Sequence, residues 1–415
     1  ELLAFIKKSP TAFHAVEEMQ ARLTEDGFQV LSEKEHWKLT PGGKYVVTRN
    51  HSALIAFTIP EKESWKFHII ASHSDSPSFK IKENPEIVVE KTYVKLNVEK
   101  YGGMLMAPWF DRPLSIAGRV IVRKDGKLEE KLIDFDRNLV MIPNLAIHMN
   151  REANSGVSYN PQKDMLPLFS MGGSDVSLQK LLSTQLDVEE KDILSHDLFL
   201  YNRMEGSIWG AENEFASSAR LDDLQCAFAS LKGFLGAQKQ DCIAVHCVLD
   251  NEEVGSGTKQ GAASTFLKDT LLRINSGLGR TYEEYLMTLA DSFMISADNA
   301  HALHPNYTDK ADPVNHPLLN KGIVIKYNAN QKYCTDAVSA AVFKDLCDRA
   351  DVPWQTFVNR SDIPGGSTLG NISNTQVPMN TVDIGLPQLS MHSPYETAGV
   401  RDTEYFVKAA KEFFA

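Results

Sequence analysis

Residues 242–261, CIAVHCVLDNEEVGSGTKQG, constrain this chain more than any other stretch. The apolar run from Ile243 to Leu249 is short and rich in β-branched residues, so it reads as a buried strand of an α/β sheet. The run stops at Asp250. Glu252 and Glu253 follow, and Gly255 and Gly257 then let the chain turn sharply. Open α/β sheets place their ligand crevice just past the carboxyl ends of such strands. Two adjacent glutamates there repel one another unless positive charge lies beside them. A metal ion supplies it, with one glutamate as ligand and the other free as a base. A solvated acidic turn is the plainer alternative, and the pair alone does not decide.

The rest of the chain supplies the sheet. At 415 residues it is long for one compact domain, so two are expected. Helical spacing marks 1–26, with a second helix started at Ser9-Pro10. Strands are expected over 44–59 and 66–71. The latter, in KFHIIASHSDSP, ends at Ser72-His73-Ser74-Asp75, and Pro77 stops it continuing. Between 79 and 213 short alternating runs dominate, with Lys124-Asp125-Gly126-Lys127 as a hairpin turn between two of them. Residues 151–175 read as a long loop, then 178–186 as a helix and 192–200 as a strand.

From Ala219 the α/β rhythm returns. A helix over 221–235 is opened by Asp222-Asp223, acids suited to its positive end. Further strands are expected at 291–296, 322–326, 355–359 and 381–384, separated by helices such as 337–350 and 404–414. The expected fold is therefore α/β: a mainly parallel-sheet α/β/α domain (1–78 and 214–415) interrupted by an inserted β-rich domain (79–213).

Composition excludes some functions. A net charge of -11 argues against a nucleic-acid surface. Five cysteines, an odd number with no Cys-x-x-Cys pair, argue against a disulfide framework and for a reducing cytoplasm. No run of about 20 apolar residues offers a membrane span, and ELLAFIKKSP lacks the apolar core of a signal peptide.

Several expected strands end in groups that bind metals. One ends at His73 with Asp75 next but one; another runs into Asp250, Glu252 and Glu253; a third reaches Asp298; the last leads through IGLPQLSMHSP to His392. Parallel strands put their carboxyl ends on one edge, where Asp222, near a helix start, can join them. Two histidines and several carboxylates without cysteine suit Zn²⁺, Co²⁺ or Mn²⁺. Singly, each has a plainer use: His73 as a core histidine, Asp222 as a helix cap, Asp298 as a turn cap, His392 as a loop residue. Agreement among four strand ends is harder to explain that way. His14, His36, His51, His246, His301, His304 and His316 are read as structural.

ASHSDSPSFKIK, SARLDDL, DNEEVGSG, SADNAHALHPNY and LSMHSPYETAG, in that order, resemble the aspartyl aminopeptidase family of dizinc metallopeptidases over nearly the whole chain. The resemblance implies two divalent ions: His73 and Asp298 on one, Glu253 and His392 on the other, Asp222 bridging both. It implies Glu252 as general base and Asp75 as the carboxylate orienting His73. Where many relatives read RLDN, this chain reads Arg220-Leu221-Asp222-Asp223; the ligand is the first Asp, which is kept. The resemblance further implies that the inserted domain dimerises and that dimers build a dodecamer. Lys326 in GIVIK would contact an acidic N-terminal side chain of a short peptide substrate. His148 in IPNLAIHMN would reach the active site of a neighbouring subunit.

Four rival readings are weaker. Gly255, Gly257 and Gly261 follow a strand as in a dinucleotide fold, but the spacing is GxGxxxG and the preceding acids would repel a pyrophosphate. No GxSxG elbow supports a serine hydrolase; PGGSTLG reads as a loop near the site. Deacylation at the same dimetal centre is disfavoured by the order of motifs, and a dead-site scaffold by the presence of every expected ligand and the base.

Overall fold

The computed structural model describes all residues except 63, 239 and 240. It divides into two compact units: Glu1–Asp75, Gly206–Met391 and Glu396–Ala415 form one, Ser76–Glu205 and His392–Tyr395 the other.

The first unit is built on a nine-stranded sheet. In spatial order its strands are Gln29–Leu31, Lys44–Arg49, Ala53–Thr58, Ile243–Leu249, Phe67–His73, Phe293–Ala297, Asn380–Gly385, Ile323–Tyr327 and Trp354–Val358. Five neighbouring pairs are parallel and three antiparallel, so the sheet is mainly parallel, as expected. Alternation along the strands divides the core in two. Tyr45, Val47, Ile55, Phe57, Ile69, Ala71, Val245 and Cys247 face one layer, with helices Phe266–Gly277 and Tyr282–Ala290. Val46, Leu54, Ala56, Ile70, Ala244 and Val248 face the other, with helices Ala12–Glu25, Leu221–Gly236, Ala337–Arg349 and Asp402–Phe414. The last helix presses against Leu221–Gly236 where Gly233 has no side chain; a Cβ there would collide with Ala410.

Some local expectations shift. The second helix starts at Ala12 behind Thr11, not at Ser9-Pro10, because the Ser9 hydroxyl is spent on Phe5 O at 2.8 Å. Asp222 and Asp223 have non-helical dihedrals, so the regular helix begins after them. A smaller five-stranded sheet completes this unit, in the order Ser207–Trp209, Phe215–Ser218, Glu396–Gly399, Pro387–Leu389, Ala300–His301.

The second unit has a six-stranded antiparallel sheet: Lys127–Asp134, Leu114–Lys124, Ile193–Asn202, Ser78–Val89, Tyr93–Tyr101, Leu168–Ser170. Asp125 and Gly126 both have positive φ, 50° and 74°, and Lys124 pairs with Lys127, a two-residue hairpin turn. Residues 151–175 are not wholly loop: they include helix Pro161–Asp164 and strand Leu168–Ser170.

All five cysteines are free thiols. Among the described residues, no helix is long and apolar enough to cross a membrane.

Candidate metal centre

Strands Ile243–Leu249, Phe67–His73 and Phe293–Ala297 are successive parallel neighbours in the sheet. Their carboxyl ends therefore share one edge, which sets His73, the acidic turn after Leu249 and Asp298 side by side. Leu249 is paired with His73 itself. The turn is a short 3-10 segment, Glu252–Val254, entered through Asn251 at φ 59° and left through Gly255 at φ 95°.

His73 is at the centre and 1% exposed. Its Nδ1 lies 3.3 Å from Asp75 Oδ1. Its Nε2 lies 3.4 Å from Asp222 Oδ1 and 3.7 Å from Asp298 Oδ1. His73, Asp222 and Asp298, all buried, each present a ligand atom within 4.8 Å of the others; His73, Glu252 and Glu253 do the same. Asp75 also organises the turn: Oδ1 accepts from Glu252 N at 3.1 Å and Oδ2 from Glu253 N at 3.2 Å. Asp222 N donates to Glu396 Oε2 at 3.0 Å, and the Asp222–Asp223 peptide bond is cis.

Buried negative charge dominates the electrostatics. Burial, then the charge of Asp222, pushes Glu253 well above the usual carboxylate range. Glu252 is pushed up to about 8, mainly by burial, with His73 pulling the other way and Asp298 and Asp75 adding to the rise. Burial, then Asp75, lifts Asp250 to about 7. Burial alone would lower His73, but its hydrogen bonds with Asp222, Asp298 and Asp75 outweigh that and raise it well above its ordinary value. So many carboxylates around one imidazole, out of water, is the arrangement a divalent cation relieves. The donors are imidazole and carboxylate oxygen without thiolate, which fits Zn²⁺ and the other divalent ions expected.

Lys326 also points here. Its strand runs antiparallel to Asn380–Gly385, yet its side chain reaches Asp298: Nζ is 3.6 Å from Asp298 Oδ2 and donates to Asn299 O at 2.8 Å. It is 3% exposed. Burial pulls its pKa down, but Asp298 and neighbouring groups raise it overall.

Of the nine residues singled out from the sequence, His73, Asp75, Asp222, Glu252, Glu253, Asp298 and Lys326 lie in the first unit. His392 and His148 belong to the second. His392 has φ 65°, and its carbonyl accepts from Leu105 N at 3.1 Å. His148 is exposed in the short 3-10 segment Ile147–Met149.

Sequence reasoning missed the supports. Asp223 Oδ2 accepts from His73 N at 3.1 Å. Asn299 is locked by Gln225 Oε1 at 3.0 Å, Gln388 Oε1 at 2.8 Å and the Cys226 thiol at 3.0 Å. The doubled Asp222-Asp223 was the one available signal; nothing near Asn299 announced its distant partners.

The chain matches, over residues 5–414, the model of a family described as aminopeptidase I zinc metalloprotease (M18). It is 48% identical to a probable M18 family aminopeptidase 2 of Clostridium novyi (strain NT), covering 100% of this chain and 98% of that one. It is 41% identical to a protein of the same description from Pseudomonas putida (strain GB-1), covering 100% and 97%. Among solved structures it superposes on a chain of the Ape4 and Nbr1 complex with a TM-score of 0.96 at 38% identity, covering 100% of this chain and 84% of that one. It superposes on the S. cerevisiae mApe1 dodecamer with a TM-score of 0.87 at 27% identity, covering 100% and 95%.

Proposed function

This chain belongs to the M18 family of aminopeptidases, zinc metalloproteases that hydrolyse peptide bonds, and we propose that it removes N-terminal Asp or Glu from short peptides at the cluster around His73. One observation carries the proposal: His73, Asp222 and Asp298 are buried together with ligand atoms within 4.8 Å, a donor set of imidazole and carboxylate suited to a divalent cation. His73 and Asp298 would hold one divalent ion and Glu253 and His392 a second, with Asp222 shared. His392 enters on the LSMHSP motif.

When bound, two Zn²⁺ ions (or Co²⁺ or Mn²⁺) would lower the pKa of a water and polarise the scissile carbonyl. The chain's own groups do the rest. Glu252 takes the proton of the attacking water and delivers it to the leaving amine. Asp75 fixes Glu252 and Glu253 through their backbone N–H groups and holds the tautomer of His73. Lys326, cationic and beside Asp298, would receive an acidic N-terminal side chain.

The inserted unit would pair subunits, with His148 serving the neighbour's site. A dodecamer built from dimers is supported by the mApe1 assembly, to which this chain is similar. The free cysteines support a cytoplasmic setting.

Elemental analysis beside turnover of Asp-, Glu- and Leu-anilides and of N-acyl amino acids tests the reading. Two ions per subunit with fastest release of Asp or Glu is the expected result. Turnover confined to N-acyl substrates would overturn it.

A further inference from the structure

Asp383 lies within the Asn380–Gly385 strand, inside the nine-stranded sheet, and is 0% exposed. Burying a carboxylate there is costly unless donors surround it. Its Oδ2 accepts from Cys334 N at 2.6 Å and from Cys334 Sγ at 2.9 Å; its Oδ1 accepts from Thr368 Oγ1 at 2.7 Å. Asp383 N donates to Thr335 Oγ1 at 2.8 Å. A Cβ on Gly370 would sit 2.6 Å from Asp383 Oδ1, so helix Leu369–Ser373 can close over the carboxylate only because residue 370 is glycine.

The donors come from two separate connections. Cys334 and Thr335 belong to 328–336, which follows strand Ile323–Tyr327. Thr368 ends 359–368, the segment that carries Pro364-Gly365-Gly366-Ser367 after strand Trp354–Val358. The first folds back towards the metal centre: Tyr333 packs with Ala300, Val324 and Phe357, and its ring lies 5.4 Å from Lys326 Nζ. The second meets the first at Gly365, whose Cβ would lie 3.2 Å from Asn328 Nδ2. Neither connection has a regular element at the point where Asp383 holds it.

We infer that Asp383 is a positioning residue, whose carboxylate clamps 328–336 and 359–368 to one another and so sets the wall around Lys326 that an N-terminal side chain meets. The inference rests on the reading of Lys326 given above. Each connection is tied through its own oxygen, so each can be released separately.

Trypsin reports the two connections independently, because Lys332 lies in one and Arg360 in the other. Thr368→Val removes only the Oδ1 donor. It should speed cleavage at Arg360 by on the order of tenfold, the worth of one hydrogen bond to a charged group, and leave cleavage at Lys332 unchanged. Asp383→Ala should speed both. With Glu- and Leu-anilides, Thr368→Val should raise KM about tenfold for Glu, with kcat within about twofold. Equal acceleration at both sites in Thr368→Val, or none at either, overturns the clamp even if Asp383→Ala fails to fold. If the Arg360 effect appears but the wild type shows no preference for acidic N-termini, the clamp stands and the substrate reading fails.

Discussion

Asp75 Oδ1 accepts the backbone N–H of Glu252 at 3.1 Å, across 177 positions of the chain. The carboxylate read from the sequence as an orienter of His73 thus also sets the turn that carries Glu252, the proposed general base. Asp75→Ala should lower metal affinity and kcat/KM by roughly 10–100-fold each. Metal titration beside steady-state kinetics checks this, and unchanged values for both would leave Asp75 a role in packing only.

Glu252 and Glu253 should separate cleanly. Glu252→Gln is expected to keep its metal while kcat falls by roughly 10²–10⁴. Glu253→Ala should lose metal, because a donor beside His73 is gone. The reverse pattern in elemental analysis would exchange their roles.

Lys326→Ala should reduce kcat/KM for N-terminal Asp and Glu far more than for Leu or Ala. Since Nζ is also 3.6 Å from Asp298, the competing outcome is an equal loss on both classes. That result would make Lys326 a partner of Asp298 rather than a specificity residue.

His148→Ala is expected to lower kcat without loss of metal or assembly. A subunit carrying His148→Ala keeps Glu252, and one carrying Glu252→Gln keeps His148. Co-assembly of the two inactive variants should therefore restore part of the activity. Verified mixtures as inactive as either parent would place His148 outside the neighbour's site.

His246 gives a prediction about acid stability. It is 0% exposed in strand Ile243–Leu249, 2.9 Å from Ser230 Oγ and stacked on Phe234. Burial pushes its pKa down from 6.5 to about 3. The unfolded chain binds a proton below about pH 6.5 that the folded chain refuses until about pH 3. Stability should therefore fall as pH drops through that window, by roughly 1.4 kcal/mol per pH unit from this residue. His246→Leu should flatten the fall in urea midpoints between pH 7 and pH 5. Parallel losses in wild type and variant would contradict it.

The strands were legible because burial writes itself into apolar runs: Ile243–Leu249 has the same bounds in sequence and structure. Other ends moved by one or two residues, as at Phe293–Ala297, since apolar periodicity carries no edge signal. The helix begins at Leu221 as read, but Asp222 and Asp223 are not ordinary first-turn acids. Acids favour a helix N-terminus, but here Asp223 turns its oxygen to His73 N and both residues leave helical geometry. Strand Leu168–Ser170 was invisible because three residues have no period. Asp383, Asn299 and Asp223 escaped because each holds partners dozens of positions away, and such pairings leave no local pattern.

The order of strands in the sheet also sets a timetable. Phe67–His73 lies between Ile243–Leu249 and Phe293–Ala297, so both its neighbours are made long after it. At about 5–20 residues per second of synthesis, the 177 positions from Asp75 to Glu252 take roughly 10–35 seconds. Through that interval an apolar strand waits with two open edges, inviting association with other chains and calling for a chaperone. His73 likewise meets Asp298 only after 225 further positions have been made, so the cluster around His73 forms late in synthesis.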